Sequence, residues 1–217
     1  MRARLWFLLV VAPLVGAATP VAESVFSHPA TTQDLAVLTR APAESLRNAQ
    51  VVRGRFVQKR WLTGLAQPLE SRGTFLFARD AGIEWHTEQP FDSQFILTGK
   101  GMTQRDEGGV SLQISAADQP ALTVVSRVFF ALFALDLPSL SQDFTLFGTH
   151  VGNAGWEIGL RPRADALRSV FREAQVSGAA SVRSVTLEDA NGDRSEIELS
   201  AVTYDPKPLT ADERHRF

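Results

Sequence analysis

Cysteine is missing from all 217 residues. That excludes disulfides, a cysteine nucleophile, thiolate metal sites and a lipid anchor attached through cysteine. The four histidines, His28, His86, His150 and His215, show no metal-ligand spacing, and no HExxH, GxSxG or P-loop sequence occurs. No metal, no cofactor and no enzyme activity is expected, because nothing supplies an activated nucleophile for, say, a lipid-ester hydrolase. A basic surplus is lacking too, with 22 Lys and Arg against 24 Asp and Glu, so nucleic acid is not an expected partner. The nearest approach to a basic stripe is Arg53, Arg55, Lys59 and Arg60. It reads first as a solvated strand face and second as a docking site for an acidic partner.

What is present begins with an export signal. Residues 1–18 carry Arg2 and Arg4, then an apolar run from Leu5 to Val15, then Gly16, Ala17 and Ala18 as a small-residue cleavage site. The run is about half of what a membrane-spanning helix needs. Removing it takes away two arginines, so the 22 basic residues fall to 20 and the net charge becomes −4. The mature chain is long enough to hold itself together by one core. The expected organisation is a signal at 1–18, a leader and N-terminal helix at 19–50, and a single β-barrel domain at 51–217 that includes a lid helix at 119–136.

Periodicity supports that division. Residues 32–39 read as a helical turn or two, and Pro42 starts a second short helix through Asn48. From Val51 the period becomes two: Phe56 and Gln58 share a face, as do Phe75 and Phe77, then Ile83, Trp85 and Thr87. Further strands are expected at 93–98, 110–115, 144–151, 155–161, 171–177, 182–189 and 194–204, with Asn191-Gly192 as a tight hairpin. Such spacing indicates an antiparallel sheet, curved or closed into a barrel. The run Asp189 to Asp193 echoes a calcium loop but lacks its later ligands, and reads as the hairpin turn.

One segment breaks the rhythm. From Ala121 to Leu135, 12 of 15 residues are apolar, with Asp118 placed to cap and Pro120 in the first turn. A helix apolar nearly all round is buried on two sides. It is either a core helix crossing an ordinary sheet or a roof over a hollow. Outside the signal stand 13 of the 14 Phe, 3 of the 4 Trp and the single Tyr, which offer apolar area with few polar handles. That suits acyl chains, and a dry core would look the same.

Phe56-x-Gln58, Gly73 with Phe75, Arg79, Trp85 followed by Gln89-Pro90, and Gly101 together resemble the periplasmic outer-membrane lipoprotein carriers, the LolA family. The pattern fits without a gap from Gly73 to Pro90 and continues more weakly to about Val202. The resemblance implies an α+β, mainly antiparallel half-open barrel with a helical lid over an apolar cavity. It also implies a monomeric periplasmic carrier of a lipoprotein or other lipid, loaded by an inner-membrane releasing transporter and unloaded to an outer-membrane receptor. Arg79 matches the family arginine whose contacts to the lid hold the cavity closed. The expected lining is Phe56, Phe75, Phe77, Trp85, Phe95, Leu122, Val125, Phe129, Leu132, Phe133 and Trp156. Asp80, Gly82 and Ile83 stand where the family carries proline, an apolar residue and Phe, and Met102-Thr103-Gln104 replaces an aromatic strand. These departures mark a divergent branch. The alternative is a non-catalytic module that senses lipids or proteins with the same barrel.

Overall fold

The computed structural model describes residues 24–118, 127, 128 and 130–217. The expected export signal, and Leu122, Val125 and Phe129 of the expected lid, lie outside the described residues.

Among the described residues two short α-helices precede the sheet. Helix α1 (Thr32–Leu38) opens with a reciprocal cap: the Thr31 hydroxyl accepts from the Asp34 N–H, and the Asp34 carboxylate accepts from the Thr31 N–H. Helix α2 (Arg40–Asn48) carries Pro42 in its first turn, where a missing N–H leaves no bond unmade, and buries Leu46.

The strands are β1 (Val51–Trp61), β2 (Leu69–Ala78), β3 (Gly82–Gln89), β4 (Ser93–Thr98), β5 (Gly101–Asp106) and β6 (Gly109–Ser115). After them come helix α3 (130–134, with Arg127 and Val128 also helical) and α4 (Leu137–Asp143). The second set is β7 (Phe144–Val151), β8 (Gly155–Pro162), the short helix α5 (Asp165–Arg168), β9 (Phe171–Gly178), β10 (Val182–Asp189) and β11 (Arg194–Asp205), followed by α6 (Ala211–Arg214). Strand β5 is an addition to the expected set. Its sequence Gly-Met-Thr-Gln-Arg-Asp carries a weak apolar signal, and pairing to β4 and β6 defines it.

All 11 strands form one sheet in the order β6-β5-β4-β3-β2-β1-β11-β10-β9-β8-β7, every neighbouring pair antiparallel. The chain draws two meanders that meet at a seam between β1 and β11. The sheet curls without closing, and α2 and α3 contribute to the cluster on its inner face, so the fold is the open, mainly antiparallel barrel with helices over it. Its free edges differ. His28 to Ala30 pair with β7: the Ala30 N–H donates to Leu146 at 3.0 Å and the Gly148 N–H to His28 at 2.9 Å. Among the described residues no segment pairs with the outer edge of β6.

Opposite the cavity side, residues 206–217 lie as a strap across the first meander. Leu209 packs on Val51, Leu76 and Ala78. Glu213 accepts from Nε and Nη2 of Arg53 at 2.9 Å each, and Arg216 reaches the buried Glu84 at 3.0 Å. Three of the four residues of the candidate basic stripe are paired within the chain, Arg53 on Glu213, Arg55 on Glu88 and Arg60 on Asp189, and Lys59 is exposed on the same strand.

Candidate functional site

The inner faces of the two meanders enclose a cavity of about 310 Å³. Alternation puts Ala174 and Val176 of β9, Val185 and Leu187 of β10, and Ile197 and Leu199 of β11 on this side, with Val176, Val185 and Ile197 in one cross-strand row and Ala174 opposite Leu187. Across the seam the lining continues through Val52, Phe75 and Trp85. Leu46 of α2 and Val128, Leu132 and Phe133 at or near α3 complete it from above.

The described part of helix α3 does both things weighed for its sequence. Ala131 belongs to the buried core of the second meander, Val128 and Leu132 join that core and also border the hollow, and Phe133 borders the hollow from the side of β2. Phe133 sits 5.8 Å from the Phe75 ring and 5.7 Å from Phe77, and Phe130 sits 6.4 Å from Phe77. Such contacts are worth about 0.5–1.5 kcal/mol each beyond area burial. They hold the helix to β2 without polar bonds.

Of the expected lining, Phe75, Trp85, Leu132 and Phe133 border the cavity. Phe56, Phe77, Phe95 and Trp156 do not. Phe56 is buried and stacks on Trp85 at 4.0 Å. Its register partner on β2 is Gly73, which has no side chain to stand between the two rings. Phe77 belongs to a neighbouring cleft, Phe95 is half-buried beside Trp85 on β4, and Trp156 is sealed in the second core with its indole N–H donating to Ala179 at 2.8 Å. The residues that reading the sequence missed are the aliphatics of β9 to β11. Their period-two alternation was the available signal, but it marks the inner face and not which part of that face is hollow.

Glycine at 54 decides where Phe75 goes. A Cβ on Gly54 would lie 2.5 Å from the Phe75 ring, so the bare backbone of β1 lets the ring lie across it.

Polar groups are few at this surface. Among the described lining residues Asp189 is the one carboxylate, and it pairs with Arg60 at 3.3 Å. Burial pushes the Tyr204 phenol up from its ordinary 10.0, so it stays neutral at physiological pH. Among the described residues no three His, Asp or Glu side chains converge as metal ligands.

Arg79 lies just past β2. Its Nη2 donates to the Leu46 carbonyl at 2.8 Å, and its backbone N–H to Gln50 at 3.1 Å. The guanidinium thus ties the sheet to α2 at the residue whose side chain covers the cavity. It also lines a second cleft of about 370 Å³, bounded by Phe77, Gly99, Arg127, Phe130, Ala131, Ala134, Asp136 and Ser139.

No curated protein sequence matches the chain. Among solved structures, a LolA superfamily protein of Nitrosomonas europaea is similar at 9% identity and TM-score 0.44, covering 84% of this chain and 96% of its own. The lipoprotein LppX of Mycobacterium tuberculosis is similar at 10% identity and TM-score 0.47, covering 84% and 100%. The MucA/MucB complex structure of Pseudomonas aeruginosa is similar at 14% identity and TM-score 0.34, covering 83% and 60%. The family profile of the outer membrane lipoprotein carrier protein LolA matches residues 47–212, a span that holds every strand of the sheet: the chain belongs to the LolA family.

Proposed function

We propose that the protein is an extracytoplasmic carrier that takes acyl chains of a lipoprotein or other lipid into its cavity and shuttles them from the inner to the outer membrane. The observation that carries this reading is the cavity itself: about 310 Å³, apolar on nearly every side, inside a barrel that is open. A permanent void in a protein interior costs stability in proportion to its volume. An occupant that comes and goes gives such a void a purpose. Each buried methylene contributes about 0.8 kcal/mol, so a single acyl chain supplies ample affinity, and release is the harder step. The roof residues meet the sheet through apolar and aromatic contacts plus the Arg79 bond to Leu46. Such contacts separate and re-form without stranding a buried charge.

Loading by an inner-membrane transporter and delivery to an outer-membrane receptor belong to the same proposal. The test is uptake of a fluorescent fatty acid by the purified chain, then transfer to acceptor vesicles. The expected outcome is saturable uptake, with Arg79→Leu altering transfer because α2 loses its tie to the sheet. Failure to take up any acyl probe would sink the carrier reading. Unchanged transfer by Arg79→Leu would remove Arg79 from it.

A further inference from the structure

The second cleft, between the end of β2 and the 127–139 segment, differs in kind from the cavity. Its floor is apolar, with Phe77, Phe130, Ala131 and Ala134, and two guanidiniums, Arg79 and Arg127, line it. The two hollows share a wall, because Phe77 of the cleft lies 5.7 Å from Phe133 of the cavity, stacked ring on ring.

The unfilled side-chain N–H donors in the cleft belong to its two guanidiniums. Arg79 uses one N–H group of its side chain, on the Leu46 carbonyl. Arg127 uses Nη2 alone, donating to both Asp143 oxygens at 3.0 and 2.7 Å. Among the described residues, Nε and Nη1 of both arginines have no protein acceptor. The acidic groups are already engaged: Asp143 by Arg127, and Asp136 by the Ser139 N–H at 3.2 Å and the Ser139 hydroxyl at 2.6 Å as the cap of α4. Planar guanidinium forks with unfilled donors match the paired oxygens of a phosphate or carboxylate.

We infer that this cleft is a headgroup site, and that the preferred ligand is a single amphiphile whose phosphate or carboxylate sits between Arg79 and Arg127 while its acyl chain occupies the adjoining cavity. This rests on the carrier reading proposed above and narrows its cargo to anionic lipids.

Calorimetric titration of the purified chain with dodecyl phosphate, dodecanol and inorganic phosphate tests it. The first two share a tail and differ in the anion. Charge-assisted hydrogen bonds to one fork favour dodecyl phosphate over dodecanol by about tenfold or more, and raising the salt concentration shrinks the preference. Arg127→Gln is expected to collapse the ratio, and Arg127→Lys, which keeps the charge and loses the fork, to leave an intermediate value. Arg172→Gln, on the exposed side of β9, serves as the control and leaves the ratio unchanged. Equal affinity for dodecyl phosphate and dodecanol would overturn the headgroup site and leave the carrier reading standing. Inorganic phosphate binding as tightly as dodecyl phosphate would make the cleft a free-anion site and overturn the inference also. Binding of neither amphiphile would instead defeat the carrier reading itself.

Discussion

Asp193 shows how much one carboxylate settles at the far end of the barrel. Its Oδ1 accepts from the Thr63 N–H at 2.8 Å and its Oδ2 from Asn191 at 3.0 Å, joining the β1–β2 loop to the β10–β11 turn. The Thr63 N–H is the main reason its carboxyl lies below the ordinary 3.8. A depressed carboxyl stabilises the fold above the ordinary value, and that contribution disappears as the pH falls through the depressed one. Asp193→Ala is therefore expected to lower the thermal midpoint at neutral pH, with the gap to the parent closing well below pH 3.8; a gap constant with pH would contradict this account. Gly54 makes the second case at this scale. Gly54→Val drives a side chain into the Phe75 ring, and overpacking of this kind typically costs about 1–3 kcal/mol, readable by urea denaturation alongside reduced fatty-acid uptake. Neither role was legible beforehand. Asp193 read as a turn residue, and Gly54 as an unremarked position in a strand, because the partner of each is distant in the chain.

Among elements, β9 to β11 carry more of the cavity than the aromatic first meander that drew the eye in the sequence. The strands themselves were legible: 144–151, 182–189 and 93–98 match the structure end for end, since period-two alternation is a local property. Which inner-face residues border a hollow depends on how the sheet curls and where α3 lands, and neither is local. Phe56 and Trp156 are as apolar as any lining residue, yet sheet packing seals them into solid core. Val185→Trp is accordingly expected to reduce the number of acyl probes bound without lowering the thermal midpoint, since the added ring fills space; full capacity with an intact fold would remove Val185 from the lining. The strap offers a pH readout of its own. Burial works to raise the Glu213 carboxyl, but the Thr210 N–H and Arg53 outweigh it and hold it below its ordinary 4.5. Strap docking is thus strongest above that value and weakens as the pH falls through the depressed one. Hydrogen exchange at residues 206–217 should quicken there before the sheet opens.

On the scale of the whole molecule, the empty cavity and the occupied one are states of a single equilibrium. A ligand that binds only the folded chain adds about 2.7 kcal/mol at a hundred times its Kd, which raises the melting temperature of a domain this size by roughly 5–11 °C. Differential scanning calorimetry with and without dodecyl phosphate measures that shift, and its absence at saturation would mean the amphiphile does not select the native fold. The seam between β1 and β11 has a different consequence. Val51 pairs with Asp205 and Trp61 with Arg194, so the central ladder joins the first strand of this sheet in chain order to its last. Each meander assembles from neighbours, whereas this ladder closes the longest loop in the chain and is entropically the last to be worth closing. Until β11 has been made, β1 therefore waits with one bare edge, open to pairing with a strand of another chain.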